Sequence, residues 1–423
     1  MALRVIKRAL LIGSITFFTA TIWADFFPIN FFRPWDINLR PPEWCGAPLQ
    51  ITGFYEGGIN SWGYNADNHL VNAMQLYDAT QDSLAMLQGF PPDSKESQFF
   101  NNVLLNPADD GVRGHFSVTG DFGLLANAVL CARYHFAHNI MVGFFVPVLS
   151  MRLNNVQFTD LTQNITPEDV IVKENLTQNF AQTIQQFDPE LNLSGWKKTG
   201  FGDCVLLAEW LRFFAQDKEY LKNVGLNVRG GISFPTGFKT NVNDILFVPS
   251  GFDGSWGLLF GAGIILNWIE HVRAGVDFEF LTLFGNTRVR RIKVSPGQTD
   301  FLFLAKARAH TEDGFTQRYN VFGELYHIYR GLSASVIYQY WQHSEDKLAL
   351  LTNRYSTQIA NTANNLQGWT IHQFIFKVDY DFQCDVDDMS WFKPQLQLFY
   401  KAPFNGSRAL VAQTMGFGIT LNF

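Results

Sequence analysis

Residues 415–423, at the C-terminus, constrain the fold of this chain most. One set of them is apolar: Met415, Phe417, Ile419, Leu421 and Phe423. The residues between them are small or polar: Gly416, Gly418, Thr420 and Asn422. A repeat of two residues places the two sets on opposite faces of a β-strand, whereas a helix repeats every 3.6 residues. The chain therefore ends on a strand with one apolar face.

The same alternation recurs upstream in four further segments: 223–234, 272–280, 332–343 and 369–382. In the last of them, Phe376 and Val378 lie on one face and Lys377 on the other. Charges on one face and apolar side chains on the other are typical of a barrel wall between lipid and water. Because backbone groups in lipid must all be paired, such a sheet has to close.

The composition agrees with a barrel in a membrane. The chain has 423 residues, of which 47% are hydrophobic and 41 are Phe, yet its mean hydropathy is only −0.02. No apolar run reaches the roughly 20 residues of a membrane-spanning helix. Charged residues make up 17%, below the roughly 25% of soluble domains. The aromatic content excludes a disordered chain, and a net charge of −6 gives no basic surface for nucleic acid.

We predict an all-β fold, an antiparallel up-and-down transmembrane barrel over residues 48–423 with about twelve strands. The strands are expected at 48–57, 121–136, 140–152, 200–214, 220–234, 254–267, 270–284, 316–329, 332–343, 369–383, 391–401 and 409–423. Short and long connections alternate between them, including a brief loop at 402–408, which is the asymmetry of outer-membrane barrels. Further strands at Val112–Gly120 and 300–310 would give fourteen. Within the long extracellular loops, Asp67–Gly89 and Thr166–Phe187 predict helices.

Residues 1–24 have the features of a secretory signal peptide. Arg4, Lys7 and Arg8 precede an apolar stretch from Ala9 to about Ile22, and Ala24 supplies a small residue for cleavage. This order of charged, apolar and small residues favours export, with a membrane anchor as the alternative. The expected location is the bacterial outer membrane.

The segment that follows, residues 25–47, is rich in aromatic residues and proline. Its aromatic residues are Phe26, Phe27, Phe31, Phe32, Trp35 and Trp44. Prolines at 28, 34, 41 and 42 exclude an ordinary helix. We consider two roles, a periplasmic hatch that folds into or against the barrel mouth and a girdle that packs near lipid.

The four cysteines indicate no metal site. Cys45, Cys131, Cys204 and Cys384 form no C-x-x-C pair and have no accompanying His cluster. An exported chain could form a Cys45–Cys384 bridge, or all four thiols could pack as small apolar groups. No metal and no cofactor are expected.

Alternation also predicts the side chains that face the lumen. This set is Glu56, Arg133, Asp203, Glu209, Arg229, Arg273, Asp277, Glu279, Arg318, Glu324, Lys377, Asp379 and Lys393. Since both signs of charge are mixed, the lining would not select strongly for either sign. It would either orient a solute in a pore or form a structural network of ion pairs. Glycines on one face, such as Gly257, Gly261 and Gly263, leave the wall thin there, which would accommodate a plug or local curvature, with curvature favoured.

The C-terminal strand resembles that of bacterial outer-membrane proteins, in which a terminal aromatic residue belongs to the insertion signal. The resemblance assigns that signal to Phe417, Ile419, Leu421 and Phe423. It implies two partners, the barrel-assembly machinery and outer-membrane lipid.

Three further segments resemble an outer-membrane channel family, the transporters linked to the meta-pathway of phenol degradation. They are Phe145-Val146-Pro147-Val148, Gly200-Phe201-Gly202-Asp203 and Gly231-Ile232-Ser233-Phe234-Pro235-Thr236-Gly237. The resemblance implies a channel or facilitator for passive uptake of small, hydrophobic or aromatic solutes. Independently of it, Pro147 removes one donor from the strand ladder and predicts a bulge or an edge-like local geometry.

An enzymatic role is not expected. The chain has no G-x-S-x-G motif, and its histidines lack a neighbouring serine of catalytic type. The alternative to a channel is a structural or adhesive barrel that acts through its long surface loops.

Overall fold

Twelve antiparallel strands close into a barrel in the computed structural model, which describes residues 24–25, 48–103, 114–162, 167–269, 271–329, 331–382 and 394–423. The strands are β1 Leu49–Tyr64, β2 His115–Phe136, β3 Ile140–Asp160, β4 Cys204–Ala215, β5 Leu221–Phe234, β6 Trp256–Trp268, β7 Val272–Phe284, β8 Thr316–Tyr329, β9 Leu332–His343, β10 Trp369–Asp381, β11 Gln395–Ser407 and β12 Ala409–Asn422. Each pairs with its neighbours in this order, and β12 pairs with β1, for example Leu421 with Ile51. The twelve-strand prediction is confirmed.

The two faces of the wall differ as the alternation predicts. On β10, Phe374, Phe376 and Val378 are exposed on the outside, whereas Gln373 and Ile375 are buried inside. The near-zero mean hydropathy follows, because apolar outer faces and polar inner faces cancel in the average.

The barrel has a short-turn end and a long-loop end. At the short-turn end lie the start of β1 and tight connections such as the 3₁₀ turn Ala137–Asn139 between β2 and β3. The backbone of Leu49 is hydrogen-bonded to that of Phe423, so both ends of the barrel sequence meet there. At the long-loop end lie the connections that follow β1, β3, β5, β7 and β9.

Several strands are longer than predicted. β2 has 22 residues and β3 has 21, whereas a membrane-spanning strand needs about 9–11. The additional residues of β2 and β3 lie at the long-loop end. There, residues 115–120 of the predicted strand Val112–Gly120 form the start of β2. The predicted loop at 402–408 is wrong, because β11 continues to Ser407 and Arg408 alone turns the chain, with φ of 49°.

Pro147 produces the predicted irregularity in the wall. The partner of β3 is split in two, with Trp196–Phe201 pairing beyond Pro147 and β4 pairing before it. The carbonyl oxygen of Pro147 accepts a hydrogen bond from Gly202 N at 2.8 Å. The interruption at 202–203 therefore lies opposite the residue that lacks an N–H.

The long loops fold into a body that we call the loop cap, formed by the connections at the long-loop end. It contains a three-stranded antiparallel sheet of Thr287–Arg291, Lys306–Glu312 and Lys347–Leu350. Its helices are Ser83–Met86, Lys95–Val103, Pro167–Val172, Phe180–Phe187 and Thr357–Ala360, with a π-helix at Lys173–Gln178 and a 3₁₀ turn at Ala73–Gln75. Short strands lie at Leu70–Val71 and Gln81–Asp82, and Ala24–Asp25 pairs with Leu366–Gln367.

The loop cap corrects two predictions. The candidate strand at 300–310 contributes to the cap sheet rather than to the barrel, so the fourteen-strand alternative is wrong. A continuous helix over Asp67–Gly89 is also wrong, because the side chain of Asp82 caps a new short helix by accepting from Leu84 N and Ala85 N. The helical prediction for Thr166–Phe187 is confirmed from Pro167 onward.

The cap has an apolar core at its base. Phe116, at the start of β2, is fully buried, and its ring lies 4.4 Å from that of Phe180 and 6.4 Å from that of Phe301. Phe158 packs against the same rings. No helix in the described ranges is long and apolar enough to cross a membrane.

Two of the four cysteines are described. Cys131 is buried in the barrel wall and Cys204 is partly buried, and both are free thiols. Cys45 and Cys384 lie outside the described residues, so the bridge between them stays a prediction. Within the ranges that the structure describes, no group of His, Cys, Asp and Glu side chains could hold a metal ion.

Candidate functional site

Most of the residues predicted to face the lumen are buried or partly buried in the structure. Those that are buried are Glu56, Arg133, Asp203, Arg229, Arg273, Asp277, Glu279, Arg318 and Glu324. Glu209, Lys377 and Asp379 are partly buried, and Lys393 lies outside the described residues. Their contacts separate them into a ladder along one half of the wall, a cluster on the other half, a loop anchor, and residues that make separate contacts.

The ladder follows the inner wall from β5 to β9. We call it the polar ladder, with the members Arg229, Asp277, Glu279, Arg318, Asn320 and Gln339. Strand register produces it, because Glu279 is the Cα partner of Arg318 and Asp277 is the partner of Asn320. The ladder therefore consists of two adjacent rows of polar side chains.

Arg229 begins the ladder by reaching across a whole strand. Its Nη1 and Nη2 donate to the Asp277 carboxylate at 2.6 and 2.7 Å, and its Nε donates to Glu279 at 3.1 Å. Gly261 on β6 lies between Arg229 and Glu279 in register. A Cβ on Gly261 would lie 3.0 Å from Arg229 Nε and 2.5 Å from the oxygen of Phe278. Glycine at this position thus provides the space for the guanidinium. This role is separate from the local curvature predicted for the inward glycines.

Arg318 continues the ladder on β8. Its Nη2 lies 3.0 Å from Glu279 Oε2, and its guanidinium stacks 5.4 Å from the ring of Trp341. Trp341 Nε1 donates to Gln339 at 2.7 Å, and Gln339 donates to Asn320 at 2.8 Å. The ladder thereby joins two arginines and two carboxylates to two amide side chains and one indole.

A second ionic cluster lies on the other half of the wall. Lys401 Nζ on β11 lies 3.0 Å from Glu56 Oε2 on β1, and Asn127 and Thr414 also donate to this carboxylate, at 2.8 and 3.1 Å. Lys401 is absent from the set predicted to face the lumen. It lies an even number of residues from Lys393, so the same alternation would have placed it inside.

Other predicted lumen residues make separate contacts. Arg133 Nη1 donates to Gln50 at 2.7 Å, and its Nη2 lies 3.6 Å from Glu209. The guanidinium of Arg273 lies 3.1 Å from the centre of the Tyr326 ring. On β10, Lys377 and Asp379 form an ion pair at 2.8 Å. These contacts lie nearer the short-turn end than the polar ladder does.

Asp203 anchors a loop, in contrast to the predicted role as a lumen residue. Its carboxylate accepts from the backbone N–H of Gly237 at 2.8 Å and from that of Phe252. The side chain of Thr236 donates to Gly202 O at 2.8 Å beside it. The reason is the interruption of the strand opposite Pro147, which removes Asp203 from the regular alternation. Two of the three motifs behind the family resemblance, at 200–203 and 231–237, meet here.

A cavity of about 150 Å³ lies between the loop cap and the barrel mouth. The ends of four successive strands contribute Leu283, Thr316, His343 and Trp369. Loop residues supply a mixed lining that includes Phe252, Asp253, Leu302, Phe303, Leu348 and Leu366. Asp253 is held in place by Arg288 and Arg290. Alternation within strands gave no signal for this cavity, because loops supply most of its lining.

Titratable side chains cluster on one side of the cavity. His343 Nδ1 lies 2.7 Å from Thr316 Oγ1, and His343 Nε2 lies 3.2 Å from Asp346 Oδ1. Asp313 accepts from Ser255 Oγ at 2.8 Å. Burial and, secondly, the nearby carboxylate of Asp346 raise the pKa of Asp313 to about 6.

Comparisons with known proteins concern the barrel architecture. No family model matches the chain, and a search of curated proteins finds no match. Among solved structures, an outer membrane channel from Pseudomonas putida F1 matches with 10% identity and a TM-score of 0.45, covering 91% of this chain and 100% of that chain. The toluene transporter TodX of Pseudomonas putida matches with 8% identity and a TM-score of 0.31, covering 95% and 96%.

A FadL homologue from Pseudomonas aeruginosa also matches, with 9% identity and a TM-score of 0.28, covering 89% of this chain and 91% of that chain. All three TM-scores lie below 0.5. The barrel assignment therefore rests on the strand pairing within this chain, and membership of the phenol-degradation transporter family stays a prediction.

Proposed function

We propose that this protein is a bacterial outer-membrane channel for the passive movement of small solutes. The observation that carries the proposal is the closed barrel, apolar outside and polar inside. Large apolar side chains such as Leu398 and Phe260 are about 60% exposed on its outer face, at 64% and 58%. A charge at mid-membrane on such a face would cost about 2–4 kcal/mol. The inward location of the charges supports a wall that separates lipid from a polar interior.

The favoured cargo is a small hydrophobic or aromatic solute. Support comes from the cavity below the loop cap, where Phe252, Phe303 and Trp369 line a volume of about 150 Å³. Roughly that volume accommodates one benzene-sized molecule, and the apolar part of the mixed lining would contact its ring. The resemblance of three sequence segments to transporters of phenol degradation points to the same class of solute.

Residues 1–24 remain our proposed signal peptide and 25–47 our proposed hatch. Residues 26–47 lie outside the described residues. Asp25, the first residue after the proposed signal peptide, supports the hatch, because it pairs with Leu366 at the long-loop end whereas Leu49 lies at the short-turn end. Removal of Asp25–Arg40 should increase conductance, and unchanged conductance and permeability would exclude a hatch.

The proposed insertion signal is the outer face of β12. Phe417, Ile419 and Phe423 are exposed on that face, and the strand closes the barrel against β1. Recognition by the barrel-assembly machinery and contact with outer-membrane lipid are consistent with this exposure.

Single-channel recording with purified, heat-modifiable protein tests the channel proposal. Stable conductance steps in a planar bilayer, and swelling of liposomes in small solutes, are the expected results. A folded barrel that produces neither would contradict the proposal.

The second candidate function is a structural or adhesive barrel. The loop cap favours it, because the long loops form a folded body with its own sheet and apolar core. A silent barrel in the bilayer that binds a surface through its loops would support this candidate instead.

A further inference from the structure

We propose that two neighbouring cations on the outer wall, Arg152 and Lys197, bind the phosphate group of a phosphorylated lipid in the outer leaflet. Arg152 lies on β3 and Lys197 on the adjacent strand Trp196–Phe201, and we call them the cation pair. The inference goes beyond the channel proposal, because it does not depend on conduction. It rests on the proposed location of the barrel in the outer membrane.

Strand register places the two cations side by side. Arg152 is the Cα partner of Lys197, and both residues are exposed. Residues directly opposite each other in an antiparallel pair have Cβ atoms about 4.5–5.5 Å apart, and like charges at such positions destabilise the sheet. An anion that contacts both side chains would remove this repulsion.

The surrounding protein supplies little compensating charge. Within the described ranges, the side chains of Arg152 and Lys197 form no ion pair and no hydrogen bond. Asp121 on β2 lies one residue pair further toward the loop cap, and its carboxylate accepts from Asn155 Nδ2 at 2.7 Å. Because Lys198 beside the cation pair is exposed as well, three cations and one carboxylate lie in this part of the surface. It therefore carries an excess of positive charge.

The height of the cation pair on the wall points to a lipid as the source of the anion. Over residues 140–148 of β3, the outward side chains are all apolar: Ile140, Val142, Phe144, Val146 and Val148. A membrane-spanning strand needs about 9–11 residues, so this segment accounts for most of one crossing. The next outward residues are Ser150 and Arg152. The cation pair thus lies directly above the apolar band on the long-loop side, which faces the outer leaflet.

A column of side chains leads from the cation pair to the apolar band. Directly below the cations, Ser150 Oγ lies 2.7 Å from Thr199 Oγ1. Only one of these hydroxyl groups donates in that bond, so the other can donate to a phosphate oxygen. Below them, Val148 is the partner of Phe201, whose side chain is 60% exposed. The column therefore fits a phosphate that is attached to acyl chains, because a free anion would contact only its upper part.

The test measures binding of lipid A, a glycolipid with two phosphate groups, to the purified folded barrel by native mass spectrometry. The reference probe is the same lipid with its phosphate groups removed. Wild type should bind lipid A about 25-fold more tightly than the reference, because each cation near an anionic lipid contributes roughly a fivefold factor. Arg152→Gln with Lys197→Gln should abolish this difference, and Lys197→Gln alone should reduce it about fivefold.

The matched control is Arg212→Gln with Lys222→Gln. Both residues are exposed on the outer face at the short-turn end of β4 and β5, so the variant removes the same charge from the opposite rim of the barrel. It should keep the wild-type ratio of affinities. Phe201→Ala should weaken binding of both lipids by a similar factor and leave their ratio unchanged. Heat-modifiable migration in gels verifies that each barrel is folded.

The outcomes separate this inference from the channel proposal. Equal affinity of wild type for the two lipids, or an equal loss in the short-turn control, would overturn the inference and leave the channel proposal intact. Inorganic phosphate that displaces lipid A at equal concentration would assign the site to a free anion and overturn the lipid assignment. A folded barrel that does not insert into phosphatidylcholine vesicles would refute the membrane location and the inference together.

Discussion

The barrel interior and the loop cap differ in the kind of side chain that they bury. Inside the barrel, the side chains with least exposure include charged and amide groups, such as Lys401 and Gln373 at 0%. In the cap, the least exposed side chains are apolar, such as Phe116 and Ile184, also at 0%. The barrel core is therefore rich in polar groups, with small apolar clusters such as Phe322, Ile337 and Ile375 among them, whereas the cap core is apolar. The two cores are joined through β2 and β3.

The difference follows from what each region faces outside. The barrel exposes its apolar side chains on the outer wall, which leaves polar groups for the interior. A buried polar interior is stable only if its donors and acceptors find partners. The cap consists of loops with polar outer surfaces, and burial of apolar area at roughly 25 cal/mol per Å² stabilises it. The two cores should consequently respond to different substitutions.

The largest effect is expected from Phe116→Ala in the cap. A large-to-small change at a buried Phe costs about 3–5 kcal/mol, and loss of the contacts with Phe158, Phe180 and Phe301 removes about 0.5–1.5 kcal/mol for each aromatic pair. Hydrogen exchange should accelerate in 167–187, while the barrel strands stay protected.

The control for Phe116 is Phe260→Ala on the outer wall, where the ring is 58% exposed and makes no contact with the cap core. It should leave exchange in the cap unchanged. Equal loss of protection in cap and barrel after Phe116→Ala would show that the two cores are one cooperative unit.

Lys401→Met tests the polar core. It leaves the carboxylate of Glu56 buried without the cation that lies 3.0 Å away, which typically costs about 3–5 kcal/mol. Urea titration in lipid vesicles measures the free energy of unfolding. Adding Glu56→Gln should restore much of the loss, because the uncompensated charge disappears.

The matched control is Lys347→Met in the cap sheet, whose ion pair with Glu345 at 3.2 Å is exposed. An exposed pair contributes about 0–1 kcal/mol. Similar losses at Lys401 and Lys347 would mean that burial does not strengthen the barrel pair.

Asp203→Ala tests the junction between the two regions. The substitution leaves the N–H groups of Gly237 and Phe252 without their acceptor, at a cost of about 1–3 kcal/mol. We expect faster proteolysis within 235–255 and little change elsewhere. Asp203→Asn retains one acceptor oxygen and should have a smaller effect, and equal cleavage of both variants and wild type would exclude the anchoring role.

The sequence predicted the barrel better than the cap for a physical reason. A strand repeats every two residues, so the faces on which Phe376 and Lys377 lie can be assigned without knowing which strands pair. The cap core depends on contacts between distant residues, such as Phe116 with Phe301. No local repeat encodes such contacts, and the separate short elements within 67–89 depend on caps such as Asp82.

The candidate site shows the same limit. Alternation predicted Arg229, Asp277 and Glu279 on the inner face, and all three are buried, but it could not pair them. Pairing depends on register, and register places Gly261 between Arg229 and Glu279. The exception among the lumen predictions, Asp203, follows the interruption opposite Pro147, where alternation ceases to apply.

The smallest effect is expected from Asp313→Asn beside the cavity, and it depends on pH. Burial and then Asp346 raise the pKa of Asp313 to about 6, while Ser255 and Arg290 offset part of the shift. The folded protein therefore binds more protons than the unfolded chain between its unfolded pKa of about 4 and pH 6. Stability of the cap should fall as pH rises through this window.

Asparagine keeps an acceptor for Ser255 and removes the charge, so the variant should equal the wild type at pH 4 and exceed its stability at pH 7.5. Hydrogen exchange in 344–368 at both pH values provides the measurement. A pH dependence that persists in Asp313→Asn would exclude Asp313 as its source. If hydrogen exchange in the cap changes with the Asp313 substitution while the barrel strands keep their protection, the stabilities of the two cores depend on pH separately.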